Sequence, residues 1–227
     1  MLVAPRGQRS RINVEYPIST QGNHNRQLEQ SLIIFAGIHN LENRMKTNLS
    51  QYDNSWYYPG KPALVRAIWY FVNALFFINP LNPSSKLKIL LLRLFGAKVG
   101  KGTTIKPGVN IKYPWLLEIG NHSWIGENVW IDNLDKVGIG DHVCISQGAL
   151  LLTGNHNYRR ATFDLIVKGI TLEDGVWIGA KAVVCPGVKC KSHSVLSVGS
   201  VAVSDLEPYK IYQGNPAVCK RDRSVES

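Results

Sequence analysis

The sequence predicts a mainly β fold, a triangular prism of about five coils built from short parallel strands and preceded by a short helical segment. Three observations predict it. From Val99 onward an aliphatic residue returns every six residues, as in "VGKGTT", "IKPGVN", "IGNHSW" and "IGENVW". Gly, Asn, Asp or Pro recur just after it, where turns need them. A longer period of twenty lies over the six: Val99, Ile119 and Ile139 form one series, Ile105, Ile125 and Ile145 a second, Ile111, Ile131 and Leu151 a third. A six-residue return is not a helical period. One hexad cannot bury its aliphatic side alone, whereas three close a triangular coil, and coils stack at the strand spacing of about 4.8 Å. A sandwich of short strands has no reason to keep a twenty-residue register.

The elements follow in chain order. Residues 1–44 lack the repeat. Within 45–98, Ala63 to Ile78 is the most apolar stretch of the chain and reads as a helix carrying Arg66, Tyr70 and Asn73 on one stripe. Its sixteen residues, with a charge inside, are short of the roughly 20 that span a bilayer. "NPLNPSS" interrupts it, and Ser84 or Ser85 caps a second helix from Lys86 to Phe95 that stops at Gly96. The prism occupies 99–206. Its register breaks once: Leu172 follows Leu151 by twenty-one residues, so 157–169 leaves as a loop, and five further hexads start at Leu172. Residues 207–227 form a C-terminal tail.

Composition narrows the function. Of 227 residues 44% are hydrophobic and 19% charged, enough apolar content for a core. The net charge of +10 raises nucleic acid, acidic lipid or a phosphorylated ligand as partners. The charge is uneven: no acidic residue lies between Asp53 and Glu118, a stretch with nine Lys or Arg. These basics are interleaved with aliphatic helix rather than with a groove-reading motif, which argues against nucleic acid. The apolar, basic segment instead suggests peripheral contact with a membrane face. Four cysteines without a CxxC pair, and no secretory signal, point away from a disulfide framework and toward the cytoplasm.

With "LLRLFGAKVG", "IKYPWLLEIGNHSWIGENVWI" and the closing "GNPA", residues 50 to 221 resemble the hexapeptide-repeat acyltransferases, and most closely the sugar O-acetyltransferases of colanic-acid-type exopolysaccharide clusters. The resemblance implies a left-handed β-helix, against the usual right-handed crossover. It also implies a homotrimer and an acetyl group moved from acetyl-CoA to a sugar hydroxyl or lipid-linked oligosaccharide. "MKTNLSQYDNSWYYPG" matches the family's usual start, so 1–44 is expected to be a poorly structured extension or to precede a true start at Met45.

Acyl transfer to a hydroxyl needs a base, and histidine suits that work near neutral pH. His156, in "TGNH" at the root of the only long loop, is the expected catalytic base, and its hexad position matches Trp124, Trp130 and Trp177, expected near a prism corner. The resemblance implies the remaining roles. The Ala180 N–H would hold the oxyanion. Trp177 would shape the acceptor side, or simply pack a corner. Gly179, Val198, Gly199 and Ser200 would line the pantetheine arm. Pro216, Lys220 and Arg221 would face the nucleotide, although Val203 and Ser204 stand where many relatives have a Thr-Lys pair. For the acceptor, Tyr158 and Asp164 on the loop and Asp132 and Asn133 in the coil below are candidates; the galactoside-type enzymes place theirs at a position that is Gly126 here. No metal is expected. A γ-carbonic-anhydrase-like zinc enzyme is a lesser alternative, because His122 and His142 should stack on adjacent coils while His193 is out of register and zinc usually takes three protein ligands. A non-catalytic sugar- or nucleotide-binding scaffold is the other.

Overall fold

A computed structural model describes residue 26, residues 28–33 and residues 46–226. The chain divides into two units at Lys46 and Thr47. In the first, residues 26 and 28–33 are helical; the expectations for 1–44 and for a start at Met45 otherwise lie outside the described residues. Everything below concerns the second unit.

Three parallel sheets form the prism. The first face stacks Lys98–Val99, Leu117–Ile119, Val137–Ile139, Ile170–Leu172 and Lys189–Cys190. The second stacks Thr104–Ile105, Trp124–Ile125, Cys144–Ile145, Trp177–Ile178, Val195–Leu196 and Lys210–Gly214; the third stacks Asn110–Ile111, Trp130–Asp132, Leu150–Leu152, Val183–Val184 and Val201–Ala202. The expected series are the observed ladders: Val99, Ile119, Ile139 and Leu172 pair in turn, as do Ile105, Ile125, Ile145 and Ile178. These leading residues are buried, and so are the residues two positions earlier, such as Leu117, Val129, Val143 and Ala149. A coil thus closes over a core of aliphatic side chains, while residues such as Trp124 and Trp130 alternate outward and stay exposed. The tryptophan positions are therefore on the flat faces, not at the corners.

There are five complete coils and the start of a sixth. The segment expected as a tail begins with Lys210–Gly214, parallel to Val195–Leu196, and Ala217–Asp222 turns back antiparallel along it. Two helices precede the prism. α1 (Ala63–Val72) runs into a π-helical turn, Asn73–Ile78, and α2 (Ser85–Leu94) follows. Ser84 caps α2 through Leu87 N–H at 3.3 Å, while the Ser85 hydroxyl accepts the Ile105 N–H at 2.9 Å and ties the helix to the first coil. Lys88 is wholly buried; its ammonium donates to the Asn82 and Lys106 carbonyls, and burial, with Lys106 beside it, holds its pKa down. Trp69 of α1 donates its indole N–H to the Ile111 carbonyl at 2.9 Å and packs against Phe77 and Phe95.

His122 and His142 do stack, with ring centroids 5.3 Å apart. His193 proves to lie on the same corner: Gly102, His122, His142, Gly175, His193 and Tyr209 all have positive φ, and the N–H groups of His142, Gly175 and His193 each bond the coil below. The coils after the break are eighteen residues, not twenty, which hides this alignment in the sequence. Gly175 separates His142 from His193, whose ring stacks on Tyr209 at 4.8 Å and whose Nδ1 is 2.7 Å from the Ser192 hydroxyl. The column is a left-handed turn ladder with stacked rings. Among the described residues no group of three or more His, Cys, Asp or Glu side chains could hold a metal ion.

Candidate active site

The excursion from the prism starts earlier than the hexads suggest. Thr153 is buried and its carbonyl accepts the Lys168 N–H at 2.9 Å, so the chain leaves after Thr153 and returns at Gly169. Between them Gly154–His156 and Leu165–Val167 pair antiparallel, with His156 opposite Leu165. His156 therefore sits on a hairpin arm, where backbone hydrogen bonds hold it, and not at a prism corner.

The His156 ring is fixed on three sides. Its Nδ1 lies 3.0 Å from the Phe163 carbonyl oxygen. A carbonyl only accepts, so Nδ1 carries a proton, and in the neutral ring the lone pair is on Nε2. The Phe163 ring stacks on the imidazole at 4.5 Å and 9°, and Tyr52 approaches at 5.6 Å. Phe163 reaches this position through a left-handed backbone, φ 53°. The Asn48 N–H donates to the Ala161 carbonyl at 2.7 Å, so the segment that carries Tyr52 is tied to the tip of the hairpin. Phe163 lies in no repeat or motif, and Tyr52, although inside the "MKTNLSQYDNSWYYPG" start, carries no sign there of its nearness to His156.

The other hairpin candidates are more exposed. Tyr158 points to solvent with the Arg159 guanidinium over its ring at 6.0 Å. Asp164 pairs with Arg160 at 2.8 Å; a hydrogen bond from Thr162, and then Arg160, holds its carboxyl below the usual range. Beneath the hairpin, Asp132 lies 2.9 Å from the Lys112 ammonium, a charge contact without hydrogen-bond alignment. Asn133 is fully buried and both ends of its amide are engaged: Oδ1 accepts the Tyr113 N–H at 3.0 Å and Nδ2 donates to the Tyr113 carbonyl at 2.6 Å. It stitches two coils together, and its burial gives it no surface to offer a ligand. Tyr57 donates to the Leu134 carbonyl at 2.6 Å, and burial pushes its phenol well above the ordinary range.

A separate groove of about 590 Å³ runs along the second face and gathers five expected residues: Trp177, Gly179, Ala180, Val198 and Arg221. Its size suits a small-molecule site. The Trp177 indole donates to the Ser146 hydroxyl at 2.9 Å, which orients the ring along the groove. At the opposite corner the N–H groups of Lys101, Asn121 and Asp141 are taken by Asn121, Asp141 and Asp174 side chains. At Ala180's corner the next coil offers Val198, which cannot accept, and the Ala180 N–H has no partner among the described residues. Gly179 has no room for a side chain, since a Cβ would come within 2.5 Å of the Val198 nitrogen. Gly199 is open, with φ 65°. Ser200 is buried; its hydroxyl accepts the Gly214 N–H at 3.0 Å and supports the sixth coil rather than the groove. Pro216 and Lys220 are exposed on the final hairpin. Ser146 and Arg223 also line the groove and carry no sequence signal.

Three of the four cysteines, Cys144, Cys185 and Cys190, are not set up as nucleophiles. Burial raises the Cys144 and Cys185 thiols and pushes Cys190 up to about 12.

No family model matches the chain. Individual relatives do. WcaF of Escherichia coli strain K12, named for acetyl transfer in colanic acid biosynthesis, is 34% identical over 164 residues, covering 72% of this chain and 90% of that protein. The chain belongs to the hexapeptide-repeat acyltransferases. A galactoside O-acetyltransferase of the same organism is 31% identical over 65% of this chain and 73% of its own length. Among solved structures, a hexapeptide-repeat acetyltransferase from Vibrio cholerae complexed with acetyl coenzyme A superposes with a TM-score of 0.64 at 26% identity, covering 71% of this chain and 88% of that one. As a hexapeptide-repeat acyltransferase the chain is an enzyme, and its β-helix is the scaffold for group transfer.

Proposed function

We propose that this enzyme moves an acetyl group from acetyl-CoA to a sugar hydroxyl in exopolysaccharide or capsule assembly, with His156 as general base. The carrying observation is the Nδ1–Phe163 hydrogen bond at 3.0 Å, which in the neutral imidazole directs the Nε2 lone pair away from the hairpin as the proton acceptor. In a ternary complex, Nε2 removes the hydroxyl proton as the sugar oxygen attacks the thioester carbonyl. The resulting oxyanion is held by the Ala180 N–H. Collapse breaks the C–S bond, and the imidazolium returns its proton to the departing CoA sulfur. No acyl-enzyme forms, in keeping with the raised thiol pKa values.

The relatives support both substrates: one is named for colanic acid biosynthesis, another for galactosides, and a third was solved with acetyl coenzyme A. The groove on the second face is the proposed seat of the pantetheine arm, with Val198 and Gly199 at its edge and Arg221, Lys220 and Pro216 toward the nucleotide. Trp177, Tyr158, Asp164 and Asp132 remain the acceptor candidates. His156 does not line the groove that holds Ala180, and the complete site is proposed to form between neighbouring prisms of a homotrimer.

His156→Ala is expected to lower kcat roughly 10²–10⁴-fold and to leave the acetyl-CoA Kd unchanged by calorimetry. A variant that keeps its kcat would remove His156 from the mechanism.

A further inference from the structure

We propose that the outward face of α1 and α2 docks on an anionic lipid bilayer. α1 and its continuation are built inside out. Asn73 is buried against the prism, its amide donating to Asn110 at 2.7 Å and accepting the Ile111 N–H at 3.3 Å, and the Arg66 Nε is buried on the same side. The opposite face is a row without a polar residue: Leu64, Ile68, Phe71 and Leu75, stepping by three and four so that they align. All four are between 47% and 72% exposed. An exposed apolar row of this kind marks an interaction or membrane site, and no described residue of this unit covers it.

Length and charge select the occupant. The row extends about 16 Å at the helical rise of 1.5 Å per residue. No helix among the described residues is long and apolar enough to cross a membrane, so the geometry is that of a helix lying in the interface plane. On α2, Leu90 and Leu94 are likewise exposed. Beside Leu90, the side chains of Lys86, Arg93 and Lys101 line a groove of about 450 Å³ that has no carboxylate. The Arg93 guanidinium is occupied by the Val99 and Gly100 carbonyls, but Lys86 and Lys101 make no ion pair among the described residues. Lipid phosphates supply the anions that the chain withholds from residue 54 to residue 117. A second copy apposing the same face would bring only more positive charge.

The test floats the full-length protein on phosphatidylcholine vesicles with and without phosphatidylglycerol, alongside an Ile68→Ser/Phe71→Ser/Leu75→Ser triple variant and a Lys86→Gln/Lys101→Gln double variant. Expected is flotation that requires phosphatidylglycerol and weakens with salt, about fivefold weaker per lysine removed, and lost in the triple variant. Full-length protein that stays at the bottom of the gradient overturns the proposal. So does a triple variant that elutes as a smaller oligomer, because the row would then be a subunit interface. Acetyl-CoA binding measured on the same samples keeps this outcome separate from that of the proposed chemistry, on which the surface does not depend.

Discussion

Tyr52 is the residue whose contribution is easiest to isolate. It belongs to the segment before the helices, yet its ring lies 5.6 Å from that of His156 and its backbone neighbourhood is tied to Ala161. It touches the proposed base and not the reacting atoms, so its expected role is positioning. Aromatic contacts of this kind are worth about 0.5–1.5 kcal/mol, which corresponds to a loss of roughly two- to tenfold. Tyr52→Ala should lower kcat by that factor with little change in the KM for acetyl-CoA. Tyr52→Phe should restore kcat, because the contact is ring to ring. Failure of phenylalanine to rescue would assign the role to the hydroxyl instead. His156 itself was legible from "TGNH" and from the break in register, since both are local. Its two supports were not, because Phe163 and Tyr52 meet it through a hairpin and a long return that leave no periodic trace.

At the scale of the element, the corner ladders decide how the coils stack. Gly175 has φ 69°, and a Cβ there would come within 2.6 Å of the His193 ring. Gly175→Ala should therefore lose about 1–2 kcal/mol from the left-handed backbone alone, a fall in Tm of about 2–8 °C, and more from the displaced ring. Gly138→Ala is the control, since a Cβ at Gly138 meets nothing within 4 Å and its φ is not positive; its melting temperature should not fall. Equal losses in both variants would mean that the ring column does not matter. The faces were legible because every inward residue is aliphatic and returns at a fixed interval. The column was not fully legible, because the hairpin and the eighteen-residue coils after it shift His193 off a twenty-residue count. The sixth coil was hidden for a similar reason: Leu206, which bridges to Cys190, follows Ala202 by four residues rather than six, before Tyr212 resumes the spacing and pairs with Leu196.

For the whole molecule, the separation of the two halves of the chemistry sets the expectation. His156 stands on a hairpin outside the prism, while the groove with Ala180, Gly179 and Val198 lies along the second face. If the site forms between protomers, each boundary takes its base from one chain and its groove from the neighbour. Two variants that are inactive for different reasons should then rescue each other. His156→Ala removes the base and keeps the groove. Val198→Glu keeps the base and puts a charged, bulky side chain at an exposed position of the groove, where the fold can tolerate it. Co-expressed in equal amounts, random assembly of a closed ring should give about a quarter of the boundaries one intact base and one intact groove. The mixture should recover about that fraction of wild-type kcat, while each variant alone stays near background. A mixture as inactive as its components would place base and groove on the same chain, and would require the hairpin to fold over the second face before acetyl transfer.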